Sequence, residues 1–410
     1  MNILYVAYSC NPYEGSEDKI GWRVPLESAN NDNMVIVITK IEHKQDIERF
    51  CKDNNVKNIK FFYVDIPKIY KKLYKGVFYS GRLNIWQRRA FRVAENICKE
   101  EQVDLIHQIT PVEFRSIGNY NKIQNIKFVC GPLGGGEQVP KGLKTYTKSH
   151  NIVETIRAIV NIWYRFRLLC RSSFCDEILF ANEETKLYLK RCVAKNKKAT
   201  VVTEIAIDKA ELVDISNLNS KYSENNQHKI RFLVAGRMIY RKGHAFLLDA
   251  LKHIPEELDY ECCFLGEGPE LEKLKEKCAD TILNERVSFL GKVPYSEMYK
   301  EYESADVFIM PSLRETTGSV LLEAMAKGLP VITINRFGGS VLLDNESGWL
   351  YDGKDKSSYI EGLKNAIQEC IENPDEVKRR GQNARKKAEQ YVWEKKERHY
   401  QSIYDDILNS

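Results

Sequence analysis

The sequence lacks any long hydrophobic run. An apolar stretch such as Met34 to Ile38 has only the length of a β-strand, whereas a membrane-spanning helix needs about 20 apolar residues. The amino terminus, beginning Met1-Asn2-Ile3-Leu4, carries neither the basic segment nor the cleavage site of a signal peptide. We therefore expect a cytoplasmic protein without a spanning helix, whose first strand begins at once.

Paired cysteine motifs are also missing. The chain has 11 cysteines, scattered along it, with no Cys-x-x-Cys and no Cys/His spacing typical of a metal site. Two of them, Cys262 and Cys263, are adjacent in an apolar, strand-like run. This usage is typical of reduced core thiols in a cytosolic protein, so we expect no metal centre.

A strong charge imbalance is absent as well. The 410 residues include 62 Lys and Arg against 57 Asp and Glu, a formal net charge of +5. That value is too small to indicate a nucleic-acid binder, so any basic binding surface must be local. With 43% hydrophobic and 29% charged residues, the composition is that of an ordinary globular protein with material for about two to three domains.

Short apolar runs alternate with helical patterns along the whole chain. Continuous apolar strands are typical of parallel sheets covered on both faces. The predicted strands are 2–8, 34–39, 60–65, 104–107, 127–131 and 177–181 in a first series, and 230–235, 260–265, 287–290, 306–310 and 330–334 in a second. Amphipathic helical patterns such as 87–101 and 183–192 lie between strands. Two such series predict an α/β protein of two doubly wound, Rossmann-like domains.

The domain boundary is predicted within residues 209–229, where 217–226 is polar and rich in Asn and Ser. We predict a first domain over 1–208, a second over 209–390, and a terminal helix over 391–410 that packs back on the first. Paired α/β domains bind ligands at the carboxyl ends of their strands, so we expect the site in a cleft between the two.

Two cations follow the first strand of the second domain. Arg237 stands just past the strand, and Lys242 comes five residues later, at the predicted start of a helix. Cations fixed at this place can clamp a diphosphate, Arg through its planar fork and Lys as a point charge. A solvated basic loop is the alternative interpretation.

A second cluster follows the predicted strand 306–310. Glu315 lies in the turn, and Gly318 and Ser319 can open a helix whose free N–H groups attract an anion. Glu323 follows eight residues after Glu315, among apolar neighbours that leave little polar face. Carboxylates accept hydrogen bonds from hydroxyls, so paired acids suit a polyol ligand. An ordinary solvated helical residue is the alternative for Glu323.

These motifs together resemble the retaining family-four glycosyltransferases. The resemblance is carried by Arg-x4-Lys-Gly at 237–243, Glu-x7-Glu at 315–323, Gly-Leu-Pro-Val-Ile at 328–332, Gly338-Gly339, and the segment 345–350. It covers essentially the whole chain and is strongest over 230–350. It implies the GT-B fold, in which two Rossmann-like domains face each other across a cleft, with acceptor binding in the first and nucleotide-sugar binding in the second.

The resemblance also implies roles for individual residues. Arg237 and Lys242 would hold the nucleotide diphosphate, Glu315 would contact the donor sugar, and Glu323 the ribose. The further residues implied for donor binding are Gly318, Ser319 and Val320 through backbone contacts to phosphate, Val293 near the base, and Gly15 in the loop after the first strand. One departure is Thr316-Thr317, where family members often have an aromatic residue before the glycine, which leaves the donor sugar open.

The first domain contributes a second unusual loop, Gly131 to Glu137, which ends in three glycines and a glutamate. It lacks the Gly-x-Gly-x-x-Gly pattern of a dinucleotide site, but some bacterial family members carry a similar loop. From it we predict Gly135 and Glu137 as acceptor-binding residues. Better-known relatives have a catalytic histidine at this strand end, and His107 is the nearest substitute in this sequence. A hydrogen-bonded structural histidine is the alternative.

Two stretches combine cations with aromatic residues. Residues 68–92 contain eight Lys and Arg and no acid, with Trp86 among the interleaved aromatics, and residues 155–175 contain four Arg with Trp163 and Phe166. Such surfaces suit an anionic membrane face or a lipid-diphosphate acceptor. The equally weighted alternative is a solvated helical face with its aromatic side chains turned to the core.

The sequence thus predicts a retaining, metal-independent glycosyltransferase that uses a nucleoside-diphosphate sugar and no other cofactor. The expected acceptor is a saccharide, lipid-linked in capsule, O-antigen or exopolysaccharide assembly, at the inner face of the cytoplasmic membrane. A sugar-nucleotide epimerase, a phosphorylase and a non-catalytic nucleotide-sugar binder are the alternatives. Nucleic acid is not an expected partner.

Overall fold

The structure, a computed structural model, describes residues 1–74, 79–143, 151–172, 175–193, 197–216, 218 and 229–410. The chain divides into two compact units. The first comprises Met1–Glu137, His150–Ala206 and Trp393–Ser410, and the second comprises Gln138–Ser149 and Ile207–Val392. Most of the predicted linker, 217 and 219–226, lies outside the described residues.

The first unit is built on a parallel sheet of seven strands in the order β3-β2-β1-β4-β5-β6-β7. The strands are β1 (Asn2–Ala7), β2 (Met34–Lys40), β3 (Ile59–Val64), β4 (Leu105–Thr110), β5 (Lys127–Leu133), β6 (Glu177–Phe180) and β7 (Lys198–Val201). The central strands β1 and β4 pair in parallel, with Ile3 opposite Leu105, and both are almost wholly buried. Their apolar runs therefore form a sheet covered on both faces, as predicted.

Seven described helices belong to the first unit. They are α1 (Glu17–Asn30), α2 (Lys44–Asp53), α3 (Lys68–Leu73), α4 (Tyr79–Glu100), α5 (Asn151–Ser172), α6 (Glu183–Leu189) and the terminal helix. The terminal helix, Trp393–Leu408, buries Tyr400 and Tyr404 completely. Their burial fixes the end of the chain in this unit.

The second unit repeats the architecture with six parallel strands in the order β10-β9-β8-β11-β12-β13. The strands are β8 (Ile230–Ala235), β9 (Tyr260–Leu265), β10 (Val287–Gly291), β11 (Val307–Met310), β12 (Val331–Ile334) and β13 (Gly348–Tyr351). Its helices are α7 (His244–Leu251), α8 (Leu271–Cys278), α9 (Leu283–Arg286), α10 (Tyr295–Ser304), α11 (Ser319–Ala326), α12 (Phe337–Leu342), α13 (Lys356–Glu372) and α14 (Pro374–Ala388); the terminal helix is α15.

The segment after the triple glycine belongs to the second unit. Val139 and Leu143 are buried in its core, and Gly142 forms a bridge with Asp355. Residues 1–208 are predicted from the sequence to form one continuous domain, whereas the structure assigns Gln138–Ser149 to the second unit. Burial of these two apolar side chains is the physical reason for the difference.

Candidate functional site

The sequential order of the strands in the second sheet reverses between β8 and β11, although all six strands are parallel. These two strands are neighbours, although β9 and β10 lie between them in sequence and on the other side of β8. Arg237 comes two residues after β8 ends, and Glu315 comes five residues after β11 ends. Parallel strands bring their carboxyl ends to one edge, so both residues lie where open α/β sheets bind ligands.

Lys242 is held against this edge by a tight turn. It ends a short 3₁₀ helix, Tyr240–Lys242, and the next residue, Gly243, has φ 73°. A Cβ at Gly243 would lie 1.7 Å from the carbonyl oxygen of Pro311, so only glycine allows the turn to press onto the end of β11. The amide of Leu313 also donates to the carbonyl of Arg241 over 2.9 Å.

The turn brings Lys242 into an ion pair with Glu315. The Lys242 Nζ donates to Glu315 Oε2, and Arg241 Nη1 lies 3.8 Å from Glu315 Oε1. Both Lys242 and Glu315 are largely buried, with 12% and 13% of their side chains exposed. Burial alone would raise the pKa of Glu315, but Lys242 and then Arg241 outweigh it and hold that pKa below its ordinary value. The carboxylate is therefore ionised, and Arg241 is a partner that the sequence analysis missed.

Arg237 differs from Lys242 because its side chain is exposed. Among the residues that the structure describes, none forms an ion pair or hydrogen bond with the Arg237 guanidinium. A guanidinium with open donors at the carboxyl edge of the sheet can bind an anionic oxygen without first breaking an internal pair.

Helix α11 begins at the same edge without a side-chain cap. Its first residue follows Gly318, whose φ of 88° favours glycine, and no side chain caps the helix start. The amide of Leu321 is bonded to the Gly318 carbonyl, but within the described ranges the amides of Ser319 and Val320 have no acceptor. Free N–H groups at a helix start, with the positive end of the helix dipole, favour an anion.

Glu323 and Val293 complete the residues predicted for donor binding in this unit. Glu323, on α11, is half-buried, and its Oε2 accepts a hydrogen bond of 2.9 Å from the hydroxyl of Tyr302 on α10. Val293 is half-buried in the loop that follows β10. The apolar neighbours of Glu323 are visible in the sequence, but its partner Tyr302, which lies 21 residues away, was not identified there.

His244, the first residue of α7, is a further buried polar group beside the ion pair. Burial, and then the positive charge of Lys242, lower its pKa to about 3, so the ring is neutral. Its Nδ1 has no hydrogen-bond partner among the described residues. The histidine therefore adds no charge to the edge, and no motif in the sequence indicated it.

In the first unit, His107 lies in the core. Its Nε2 is 2.7 Å from the carbonyl oxygen of Gly131, its Nδ1 is 2.6 Å from the hydroxyl of Tyr404, and the residue is fully buried. Burial lowers its pKa to about 4 and keeps the ring neutral. A ring with both nitrogens engaged and no exposed surface does not reach a substrate in this arrangement, so the structural alternative describes His107 better than the predicted catalytic role.

Glu137 and Gly135 are also bonded internally. Glu137 Oε1 accepts hydrogen bonds from Thr185 Oγ1 at 2.8 Å and from Asn182 Nδ2 at 3.0 Å, and the amide of Gly135 donates to the same carboxylate over 3.1 Å. The carbonyl of Gly135 accepts from Arg157 Nη2 at 3.2 Å. Glu137 is buried, so these contacts tie the triple-glycine loop to the start of α6; the predicted acceptor-binding role of both residues has no direct support in this geometry.

The loop that contains Gly15 leads to a carboxylate that the sequence analysis did not single out. Gly15 is exposed, and nothing lies within 4 Å of where its Cβ would be. Two residues later, Glu17 Oε1 accepts a hydrogen bond of 2.8 Å from the amide of Val112, just past β4. Burial raises the pKa of Glu17 to about 7 although this bond lowers it. The contact lies at the carboxyl ends of β1 and β4, a position that corresponds to the ends of β8 and β11 in the second sheet. The spacing of residues in the sequence did not indicate it.

The aromatic side chains of the two basic stretches differ in burial. In 68–92, Trp86 is fully buried and follows the core alternative, while Lys75 and Phe78 lie outside the described residues. In 155–175, Trp163 and Phe166 are exposed, so the core alternative is wrong for them. The side chain of Arg171 lies outside the described residues.

Comparison with known families identifies the second unit. The sequence profile of the glycosyl transferases group 1 matches residues 216–387, a range that contains Arg237, Lys242, Glu315 and all of α11. The second unit is a group 1 glycosyltransferase domain. The recognition of the family-four glycosyltransferases from the sequence motifs is thereby confirmed.

Relatives of this glycosyltransferase domain extend the comparison. The chain is 30% identical over 276 residues to the alpha-monoglucosyldiacylglycerol synthase of Streptococcus pneumoniae, covering 65% of this chain and 60% of the relative. In four curated relatives, the chain spans between 31% and 60% of the relative's own length.

Solved structures match over the whole chain. Sucrose-phosphate synthase from Thermosynechococcus elongatus has a TM-score of 0.67 at 18% identity and covers 100% of this chain and 99% of its own. HepE of Anabaena in complex with UDP has a TM-score of 0.63 at 14% identity, with 99% and 100% covered. The predicted GT-B fold, with its two Rossmann-like domains, is confirmed.

The described residues contain neither a membrane-spanning helix nor a cluster of metal-ligating side chains. No described helix is long and apolar enough to cross a membrane. Within the same residues, no group of three or more His, Cys, Asp and Glu side chains could hold a metal ion.

Proposed function

We propose that the protein is a retaining glycosyltransferase that moves a sugar from a nucleoside-diphosphate sugar to an acceptor hydroxyl. The observation that carries the proposal is the carboxyl edge of the second sheet, where Arg237 is open, Lys242 is fixed by Glu315, and α11 begins uncapped. Three donors of positive potential at one edge suit a diphosphate, since charged hydrogen bonds to phosphate are among the strongest available to a protein.

These groups would act mainly in the transition state. As the bond between the sugar and the diphosphate breaks, negative charge grows on the leaving phosphate oxygens. Donors that are already in place stabilise that charge more than they stabilise the bound donor, and this difference accelerates the reaction. Burial beside Glu315 keeps the Lys242 ammonium in one position before the donor arrives.

The two carboxylates would orient the donor's hydroxyl groups. Glu315 is ionised, so its oxygens accept hydrogen bonds and suit the sugar. Glu323 is held by Tyr302 and would accept from the ribose. The backbone near Val293 would meet the base, and the open loop around Gly15 would leave room for the transferred sugar or its phosphate.

Retention is proposed to proceed by attack on the face that the diphosphate leaves, with the leaving phosphate taking the acceptor proton. This route needs no dedicated base, which fits the placement of His107 and Glu137 away from solvent in internal hydrogen bonds. We also propose that the two cations serve in place of a metal.

The proposed acceptor is a lipid-linked saccharide of polysaccharide or glycolipid assembly. Transfer to it would take place at the inner face of the cytoplasmic membrane. The name of the pneumococcal relative, alpha-monoglucosyldiacylglycerol synthase, gives a glycolipid as that enzyme's product and so supports the lipid part of the proposed acceptor. The Anabaena complex with UDP makes uridine-diphosphate sugars the first donors to test.

The test is release of nucleoside diphosphate from UDP-, GDP-, ADP- and dTDP-sugars, with and without a bacterial lipid extract as acceptor. We expect one donor to be consumed, with an acceptor-dependent product whose anomeric configuration matches the donor and no loss of rate in a chelator. Lys242→Ala should abolish release, whereas Lys252→Ala, which removes a cation from the far end of α7, should not.

Three results would contradict the proposal: inverted product, a rate that depends on added metal, or equal rates for the two lysine variants. Conversion of the donor sugar without acceptor would instead favour the epimerase alternative. Thermal unfolding of both variants controls for folding, because Lys242→Ala leaves Glu315 without its main partner.

A further inference from the structure

Helix α5 carries a row of exposed apolar side chains. Ile159, Ile162, Trp163, Phe166 and Leu169, which we call the α5 stripe, are between 41% and 66% exposed. Their spacing of three and four residues places them on one face of the helix. The opposite face is buried through Asn161, Tyr164 and Leu168, so α5 is already packed against its own unit on that side.

Five large apolar side chains on one helix face form more than scattered surface residues. Single exposed apolar residues are normal, but a contiguous apolar patch marks an interaction site. Arg165 and Arg167 lie on the same helix, and Arg167 stands over the ring of Trp163 at 5.6 Å. A helix with an apolar stripe and flanking cations is typical of a segment that lies in a membrane interface.

A basic cavity adjoins the stripe. Its volume is about 190 Å³, and three arginines line it: Arg88 and Arg92 of α4 and Arg167 of α5. No carboxylate is among its lining residues, which otherwise are Asn84, Gln87, Phe91, Ile117, Gly118 and Asn119. We call it the arginine pocket. Three cations and no carboxylate among the lining residues favour an anion.

A buried donor in the arginine pocket points to the same chemistry. Gln87 is 2% exposed, and its Oε1 accepts a hydrogen bond of 2.6 Å from the hydroxyl of Tyr120. That bond leaves the Gln87 Nε2 without a partner among the described residues. A buried N–H group without a partner is costly, and an anionic oxygen in the pocket would satisfy it.

The pocket and the stripe form one surface of the first unit. The Asn84 amide of α4 donates to the hydroxyl of Tyr164 on α5 over 3.3 Å, so the two helices are joined beside the pocket. Arg167 lines the pocket and follows Phe166 of the stripe directly in sequence. Apolar and anionic binding groups therefore adjoin each other, as the tail and headgroup of a phospholipid do.

We propose that the α5 stripe and the arginine pocket dock the protein on a bilayer of anionic phospholipid. The stripe enters the boundary between headgroups and acyl chains, and the pocket receives the phosphodiester of one headgroup. The aliphatic members of the stripe favour lipid over nucleic acid, because Ile159, Ile162 and Leu169 have no ring to stack on bases. This proposal goes beyond sugar transfer and does not depend on it.

The test is co-sedimentation of the full chain with vesicles, in the absence of any donor. Vesicles of phosphatidylcholine and phosphatidylglycerol in equal amounts should retain the protein, and vesicles of phosphatidylcholine alone should retain much less. The triple variant Ile162→Ser, Trp163→Ser, Phe166→Ser should weaken binding by roughly tenfold or more, since each side chain loses its apolar contact. Leu187→Ser, at a residue 65% exposed on α6, is the matched control and should bind as the parent does.

A second pair of variants tests the pocket. The double variant Arg88→Gln, Arg92→Gln should weaken binding to the anionic vesicles by about 25-fold, from about fivefold for each cation. Arg89→Gln removes a cation from the same helix that does not line the pocket, and it should have the smaller effect of a general surface charge. Equal effects of Arg89→Gln and Arg88→Gln would overturn the assignment of the pocket.

Two other occupants are outcomes of the same experiments. One such outcome is that inorganic phosphate raises the melting temperature of the parent but not of the Arg88 and Arg92 variants, while the triple variant of the stripe binds vesicles as the parent does. In that case the pocket would bind a soluble anion and the proposal would be wrong. If the triple variant changed a dimer to a monomer in sedimentation velocity without affecting vesicle binding, the stripe would be an interface between two copies. The single variant Phe166→Ser serves if the triple variant does not fold.

Discussion

The two units have the same central strand order but place different chemistry at the carboxyl edge. In the second, the edge between β8 and β11 holds the exposed Arg237, the Lys242–Glu315 pair and the uncapped start of α11. In the first, the predicted residues His107 and Glu137 are buried and bonded to their own unit. The comparison shows two arrangements on one scaffold: the second edge has an exposed arginine and an uncapped helix start, whereas the predicted polar residues of the first are buried in internal hydrogen bonds.

The largest expected effect comes from the exposed cation of the second unit. Arg237→Ala should lower kcat/KM for the consumed donor by about a hundredfold or more, because it removes a donor from the developing charge. Its melting temperature should equal that of the parent, since no described residue pairs with Arg237. Steady-state kinetics and thermal unfolding of one purified sample check both statements. Near-normal turnover of Arg237→Ala would contradict the role in donor binding that distinguishes the second unit from the first.

In the first unit, the buried His107 should affect the stability of the protein at acidic pH. The pKa of His107 is lowered to about 4 by burial, against an ordinary value of 6.5, so between these values only the unfolded chain binds the proton. The free energy of unfolding carries no penalty from His107 above pH 6.5 and decreases as the pH falls toward 4, by at most about 3.5 kcal/mol at about 1.4 kcal/mol per pKa unit.

Urea unfolding of the parent and of His107→Gln at several pH values measures this contribution. The histidine variant should be less stable near neutral pH and should lose less stability on acidification. Tyr404→Phe removes the hydroxyl beside Nδ1 but keeps the titrating ring, so it should retain the parent's pH dependence. Identical pH dependence in the parent and His107→Gln would contradict the buried, neutral assignment.

The carboxylate of the triple-glycine loop should affect stability by a smaller amount. Glu137→Ala should destabilise the protein by about 2 kcal/mol, because it leaves the donors of Thr185, Asn182 and Gly135 without their acceptor. Chemical denaturation measures the loss, and Glu183→Ala, at an exposed neighbour, is the control. A normal melting temperature with weakened acceptor binding would restore the predicted acceptor role and reverse the comparison.

The smallest effect is expected for Tyr302, which contacts the candidate site through its hydrogen bond to Glu323. Tyr302→Phe removes one hydrogen bond to Glu323, worth about 1 kcal/mol. We expect KM for the donor to rise by roughly fivefold with kcat nearly unchanged, because Glu323 loses its orientation and not its charge. Donor titration in the kinetic assay checks the split between the two constants. A loss confined to kcat would show that Tyr302 acts on the chemical step.

The fold was predictable because its strands are continuous apolar runs. The predicted strands 230–235 and 260–265 agree with β8 and β9 at both ends. The strand β7 was missed because it is short and only partly buried, so lysine-rich sequence around it hides the pattern. Likewise, β13 has only four residues, Gly348–Tyr351, and was recognised as part of a motif and not as a strand.

The site was predictable only where one motif contains it. Residues 237–243 and 315–323 each stand on a single loop and helix, and the edge of the sheet brings them together by the rule for parallel strands. Partners from distant segments were not predictable: Tyr404 lies 297 residues from His107, and Thr185 lies 48 residues from Glu137. A strand-end histidine and a loop glutamate look functional in sequence until those partners are known.

The central claim is that the carboxyl edge of the second sheet binds a diphosphate, and calorimetric titration tests it most directly. UDP, GDP, ADP and dTDP would be titrated into the parent, Arg237→Ala, Lys242→Ala and Lys252→Ala. We predict that at least one nucleotide binds the parent and Lys252→Ala equally, and that its affinity falls at least tenfold in the other two variants. Equal affinity for all four proteins, or no binding of any nucleotide to the parent, would contradict the account.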